Sequence, residues 1–290
     1  MKSYLDILKQ IDKEGIWKKN RTGIDTKSIT GVMFSHNMND GFPLLTTKKM
    51  GLKNIATELE FFIKGLSDKQ WLKDRNCHIW DEWCNPQKVP YGNDDVTKQK
   101  MKNENDLGRI YGVQWRKWEH HFFDPNLDGL GCVEIDQLSN VINTLKTNPF
   151  DRRMIVMAWN PADINEMALP PCHYGFQILS DGKNVDLLYN TRSQDVFLGT
   201  PYNIASYGLL LELIAKTVNM KARKLISFMG DVHIYKNHME QVKEQLSRKP
   251  YELPKLELLD NFTDLFNWKS DEFILKNYKS HDRIKADVAV

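Results

Sequence analysis

The chain has 290 residues, 41% hydrophobic and 27% charged, which is the make-up of an ordinary globular protein with room for one large domain or two small ones. A net charge of +2 excludes a global field that would recruit nucleic acid or an anionic membrane, so anions must be held by a few placed arginines. No apolar run approaches the length of a membrane-spanning helix.

Tyr4, Leu5, Ile7, Leu8 and Ile11 recur at helical spacing and predict a helix over 4–14, stopped by Gly15. Asp6, Asp12 and Glu14 interrupt the apolar positions, unlike the core of a signal peptide. Leu52, Ile55, Leu59, Phe62 and Ile63 make the inner stripe of a helix over 51–65. Residues 84–106 and 119–131 break the pattern and read as surface insertions. Lys98, Lys100 and Lys102, flanked by Asp94, Asp95 and Glu104, read as a solvated loop within the first. A helix is predicted over 136–147, ended by Asn148-Pro149, then a short apolar strand over 154–159. YGFQILS and NVDLLYN, joined through Asp181-Gly182, read as a hairpin. Residues 204–219 are apolar on most sides and predict a buried helix, followed by a strand over 224–229. No repeat or linker divides the chain. Hairpins mixed with helical crossovers predict a single α+β domain, a mixed twisted sheet flanked by helices.

Cys77, Cys84, Cys132 and Cys172 fit neither a disulfide framework nor zinc spacing, so reduced thiols and a cytoplasmic setting are expected. His120-His121 is the only other ligand cluster and lies in an insertion, so no metal is expected. In LPPCHYGFQ (169–177), Cys172 is a structural thiol, a metal ligand or a nucleophile. Pro170 and Pro171 remove two donors and stiffen its approach, and a strand starts just after, which favours a rigid nucleophile. A thiolate needs positive charge nearby. Arg21, Arg152, Arg153 and Arg192 offer it, and guanidinium forks also grip phosphate, although a surface arginine is the plainer reading of each. Adjacent strand residues face opposite ways, so His173 is no base for Cys172 and a cysteine hydrolase is excluded. Spacing alone goes no further than a cysteine nucleophile beside an anion site.

LPPCHYGFQ, RSQDVFLGTPYNIASY, GDVHIYKNH, DRRMIVMAWNP, NRTG, GFPLLTTKK, IWDEW and the terminal VAV, taken together, resemble the folate-dependent thymidylate synthase family. The match runs in order along the chain, the two insertions apart. The resemblance implies conversion of dUMP and 5,10-methylenetetrahydrofolate to dTMP and dihydrofolate, with Cys172 attacking uracil C6. It implies phosphate binding by Arg21, Arg192 and Ser193, and by Arg152 and Arg153 across a two-fold homodimer packed sheet to sheet. Gln177 and Asp195 join the dUMP contacts. Asn203 would match uracil O4 and N3–H, where a carboxylate would suit cytosine. His233 and Tyr235 would hold the 3′ hydroxyl. Glu58, at the margin of its stripe, would shuttle protons near neutrality, Tyr111 would join proton abstraction from C5, and His173 and Asp195 would order water and pterin. Ile79, Trp80 and Trp83 would wall the folate from one helical turn, with Leu198, Gly199, Tyr202 and a closing Val290.

Asn190, Thr191, Tyr202 and Arg109 depart from the family pattern, and Arg109 is expected near the site. Such changes would admit water and give 5-hydroxymethyl-dUMP, so a dUMP hydroxymethylase is the alternative. Trp80 and Val290 would shield the site against that outcome. A nucleotide- or RNA-binding relic without turnover is a third reading, disfavoured by the intact Cys172, Glu58, Tyr111 and Asn203.

Overall fold

The structure is a computed structural model that describes residues 1–124 and 129–287. Helix α1 (Lys2–Glu14) buries Tyr4, Leu5, Ile7, Leu8 and Ile11, the stripe its spacing predicts. Strands β1 (Ile16–Lys18) and β2 (Thr26–Asn37) follow, then α2 (Leu52–Ile63), α3 (Gln70–Lys73), α4 (Asp95–Asn103) and α5 (Tyr111–Arg116). Next come β3 (Trp118–Asp124), β4 (Gly129–Ile135), α6 (Gln137–Thr147), β5 (Ile155–Met157), β6 (His173–Ser180) and β7 (Asn184–Asp195). The chain closes with α7 (Gly199–Thr217), β8 (Lys221–Tyr235), α8 (Met239–Ser247), β9 (Lys255–Leu258) and β10 (Phe273–Lys276).

Six strands form one sheet in the order β1-β2-β8-β7-β6-β5. Only β7 and β8 run parallel, so the sheet is mixed and the fold is the α+β single domain expected. Parallel neighbours need a crossover, and α7 supplies it. This helix packs on β7, β8 and α2. Ile204, Leu209, Leu210, Leu213 and Ile214 are all fully buried, and of the α7 residues only Lys216 is exposed.

Several boundaries differ from expectation. Helix α7 begins five residues early, at Gly199 rather than 204, since Pro201 in the first turn gives up an N–H that has no intrahelical acceptor anyway. Strand β7 runs past Asn190 to Asp195, and β8 spans Lys221–Tyr235, so His233 and Tyr235 sit on a strand. The 84–106 insertion is not all loop. Asp94 caps α4 by accepting from the Thr97 N–H at 2.9 Å, and Lys98, Lys100 and Lys102 are helical. The described part of 119–131 belongs to the β3–β4 hairpin. Residues 79–82 form turns rather than a helix, which undoes the expected shared face of Trp80 and Trp83. Arg109 is committed to Asp163 at 2.9 Å and Glu119 at 2.7 Å, so it anchors the hairpin instead of entering the site.

Two devices position the site. Gly112 lets α2 and α5 touch: a Cβ there would lie 2.2 Å from the Phe62 carbonyl oxygen. This contact seats Tyr111 on Phe62. Lys69 is fully buried and donates to the carbonyls of Asp81, Trp83 and Met101 at 2.9, 2.6 and 2.9 Å. It thereby ties the tryptophan segment to α4. Lys69→Met should strand three carbonyls and destabilise the fold by about 2–4 kcal/mol, read as a lowered urea midpoint.

Candidate active site

Cys172 is half-buried immediately before β6. Its backbone N–H donates to the Tyr111 hydroxyl at 3.0 Å, and its carbonyl accepts from the Arg192 N–H at 2.9 Å. The Arg192 side chain donates from Nε to the Pro171 carbonyl at 3.0 Å and from Nη2 to the Pro170 carbonyl at 2.8 Å. Burial pushes the thiol above its usual range; Arg192 and Arg21 pull it back, and Asp195 adds to the rise. The expected net depression by arginine is therefore not found. Desolvation wins at rest.

Tyr111 begins α5 at φ +22°, a strained value for a non-glycine residue of the kind that persists only where surrounding packing enforces it. Its ring lies 4.9 Å from Phe62 and stacks on His173 at 4.2 Å and 26°. His173 meets the Tyr207 hydroxyl through Nδ1 at 2.9 Å, and burial lowers its pKa to about 3, so the ring is neutral at physiological pH. Tyr207 in turn stacks flat on Tyr189 at 4.2 Å. On α2, Glu58 accepts from Trp80 Nε1 at 2.7 Å. Burial raises its carboxyl to about 7 in spite of that bond, so of the two readings its place at the stripe margin allows, solvated edge or half-buried acid, it is the second.

The β7–β8 register sets Ser193 opposite Asp231 and Asp195 opposite His233. His233 Nδ1 meets Asp231 Oδ1 at 2.7 Å, and Tyr235 meets the His233 ring edge-on at 5.2 Å. Asp195 Oδ1 accepts from the Phe197 and Leu198 N–H groups at 3.0 and 3.1 Å and so shapes the entry to α7. Asn203 is half-buried on α7, one turn before Tyr207, and its amide has no partner among the described residues. Leu198, Gly199 and Tyr202 are half-buried at the same helix end. Arg21 lies exposed in the β1–β2 connection, close enough to act on Cys172 and Tyr235.

The remaining expected residues stand apart. Trp80 is buried edge-on to Tyr111 at 6.1 Å, while Trp83 stacks on Tyr91 at 6.0 Å, so the two make no continuous wall. Ile79 is exposed. Arg152 and Arg153 lie exposed before the edge strand β5, and Arg153 pairs with Asp151 at 2.7 Å. Gln177 donates to the Arg152 carbonyl at 2.8 Å, so it belongs with that edge and not with Cys172. Val290 lies outside the described residues. Tyr207 and Asp231, which orient the two histidines, were not foreseen. Spacing offered both: Tyr207 is four residues after Asn203 on a helix, and Asp231 two before His233 on a strand.

Fold and site together define a class: an α+β protein with a cysteine at the head of a sheet strand, backed by an acid, a phenol and a neutral imidazole. The thymidylate synthase family model matches residues 2–290, and the chain belongs to that family. Among the described residues, no helix is long and apolar enough to cross a membrane.

Glu58 gives a testable pH signature. Its folded pKa of about 7 exceeds the ordinary 4.5, so the fold holds its proton longer than the unfolded chain does. The resulting penalty is absent below 4.5, grows as pH rises, and is complete above 7. Glu58→Gln should therefore be more stable than the parent at high pH, by roughly 1–3 kcal/mol, with the gap closing in acid. Denaturant titrations on both sides of neutrality measure it.

Proposed function

We propose that the protein catalyses reductive methylation of dUMP to dTMP with 5,10-methylenetetrahydrofolate as co-substrate. The observation that carries this is the bond from the Cys172 N–H to the Tyr111 hydroxyl, which joins the nucleophile to the phenol–imidazole–carboxyl group behind it. Uracil C5 is a poor nucleophile. Addition of Cys172 Sγ to C6 moves the C5=C6 electron pair toward C5 and O4 and makes C5 reactive. Glu58, with a pKa of about 7, can give and take protons through water at O4. The Tyr111 hydroxyl, bonded to the Cys172 N–H at 3.0 Å, would join the removal of the C5 proton.

Arg192 has Nη1 free of the proline carbonyls, and with Arg21 and Ser193 it would take the phosphate. Asn203, its amide unspent, would read O4 and N3–H of uracil. With Nδ1 held by Asp231, His233 presents Nε2 to the sugar, and Tyr235 lies beside it. The folate supplies the one-carbon unit and, for methylation, the hydride. The residues present fit it: Leu198, Gly199 and Tyr202 leave a half-buried rim, Ile79 is exposed apolar surface, and Asp195 Oδ2 has no partner among the described residues and can accept from a pterin N–H.

A homodimer packed sheet to sheet is part of the proposal, with Arg152 and Arg153 reaching the partner's phosphate site. Its support is the apolar outer face of the sheet, where Met33 lies opposite Phe228 in register and both are exposed. Reduced cysteines support a cytoplasmic setting.

One observation favours the hydroxymethylase alternative. Thr191, paired with His173 in register, has a buried Oγ1 without a protein partner, the kind of group a buried water satisfies. Trp80, edge-on to Tyr111, favours water exclusion.

Incubation with dUMP and 5,10-methylenetetrahydrofolate should give dTMP by mass, with one dihydrofolate formed per nucleotide by absorbance. 5-Hydroxymethyl-dUMP with tetrahydrofolate would overturn the methylation reading. Cys172→Ala should lose turnover and keep dUMP binding; retained turnover refutes the nucleophile. Asn203→Asp should move kcat/KM toward dCMP by at least about tenfold, whereas unchanged pyrimidine preference places base reading elsewhere.

A further inference from the structure

Away from this site, the β3–β4 hairpin gathers Glu119, His121 and Cys132, whose ligand atoms all lie within 4.8 Å of one another. We propose that this face of the hairpin binds a thiophilic divalent cation, with zinc the best chemical fit.

The register creates the cluster. His121 lies directly opposite Cys132, and Glu119 directly opposite Glu134. Residues two apart on a strand share a face, so an imidazole, a thiol and two carboxylates project together. His120 does not join them; it faces the other way, its ring stacked on Phe122 at 5.9 Å and 20°. His121 Nε2 and Glu119 Oε2 are 3.1 Å apart. Two ligands on a tetrahedral zinc, each at about 2.0–2.3 Å, stand little farther apart than this. Glu134 or water would complete the four.

Donor chemistry selects the ion. Thiolate and imidazole favour zinc over magnesium or calcium, which prefer all-oxygen shells. Charge points the same way. Carboxylates directly opposed on neighbouring strands repel. Arg109 offsets Glu119 at 2.7 Å, but Glu134 makes no ion pair among the described residues. A dication balances Glu134 and an ionised Cys132, with Arg109 still balancing Glu119. Phe123 and Leu130, the next pair along this face, are 66% and 80% exposed and would border the ion with apolar surface. Cys132 itself is exposed, so entry is open. A hairpin with no third strand is marginal alone, and a ligand set drawn from both strands would staple it.

The test is a cobalt titration of the full chain, chelator-treated and reduced, followed by zinc displacement. Wild type should saturate at one ion per chain, with tetrahedral ligand-field bands and a thiolate-to-cobalt charge-transfer band, both removed by zinc. Cys132→Ser should abolish the charge-transfer band, and His121→Asn should weaken binding by at least about tenfold. Cys172→Ser should leave the spectrum intact. The proposal is overturned if no saturable tetrahedral signal appears, if the band survives Cys132→Ser, or if it disappears in Cys172→Ser instead. Circular dichroism of the exposed-site variants separates lost binding from lost fold.

Discussion

The clamp on residues 170–172 is the constraint on which the rest of the site depends. Two prolines remove backbone donors but leave their carbonyls, and one guanidinium collects both. On the other side, the Tyr111 hydroxyl accepts from the Cys172 N–H. The sulfur is thus placed by its backbone, and its Sγ makes no hydrogen bond among the described residues. A lysine in place of Arg192 would carry the charge without the planar fork. The clamp also explains why Tyr111 tolerates φ +22°: Gly112 brings α5 against α2, and the phenol must reach the strand from that contact.

Burial decides the resting charge of the site. Cys172, Glu58 and His173 are all pushed toward their neutral forms, and only at Cys172 do arginines oppose the push. Glu58, near 7, keeps both protonation states accessible, whereas His173, near 3, is locked neutral and meets Tyr207 with a fixed tautomer. One group can exchange protons, and the other can only orient. The same physics, desolvation of a titratable side chain, produces both roles because one gains charge and the other loses it on deprotonation.

Segments with an apolar period were legible, and polar ones held by caps or by other elements were not. The stripe of α1 declared itself through spacing alone. Helix α4 did not, because its sequence is polar and it is held by the Asp94 cap and by Lys69 from another element. The start of α7 was hidden behind Gly199 and Pro201, residues that read as breakers until the Asp195 carboxylate is seen ordering the turn before them. WEHHFFD shows no alternation, since His120 to Phe123 are exposed on both faces and nothing selects for it. At the site, motif order identified Cys172, Asp195 and Asn203, but no spacing rule joins Trp80 to Glu58 across 22 residues. Arg152 and Arg153 sit exposed beside the β5 edge, where Arg153 is spent on Asp151.

The four cysteines show how environment divides one functional group among unlike tasks. Cys77 is driven up to about 12 by burial beside Glu58, and Cys84 is raised by burial as well, so both thiols stay protonated and inert. Cys172 is buried too, but there two arginines offset part of the penalty. Cys132 is exposed and shares its face of the hairpin with His121, Glu119 and Glu134. Cys172 thus has two arginines near its sulfur, whereas Cys132 lies on a face with Glu119 and Glu134. Neighbouring charge and burial together distinguish the settings of the two thiols.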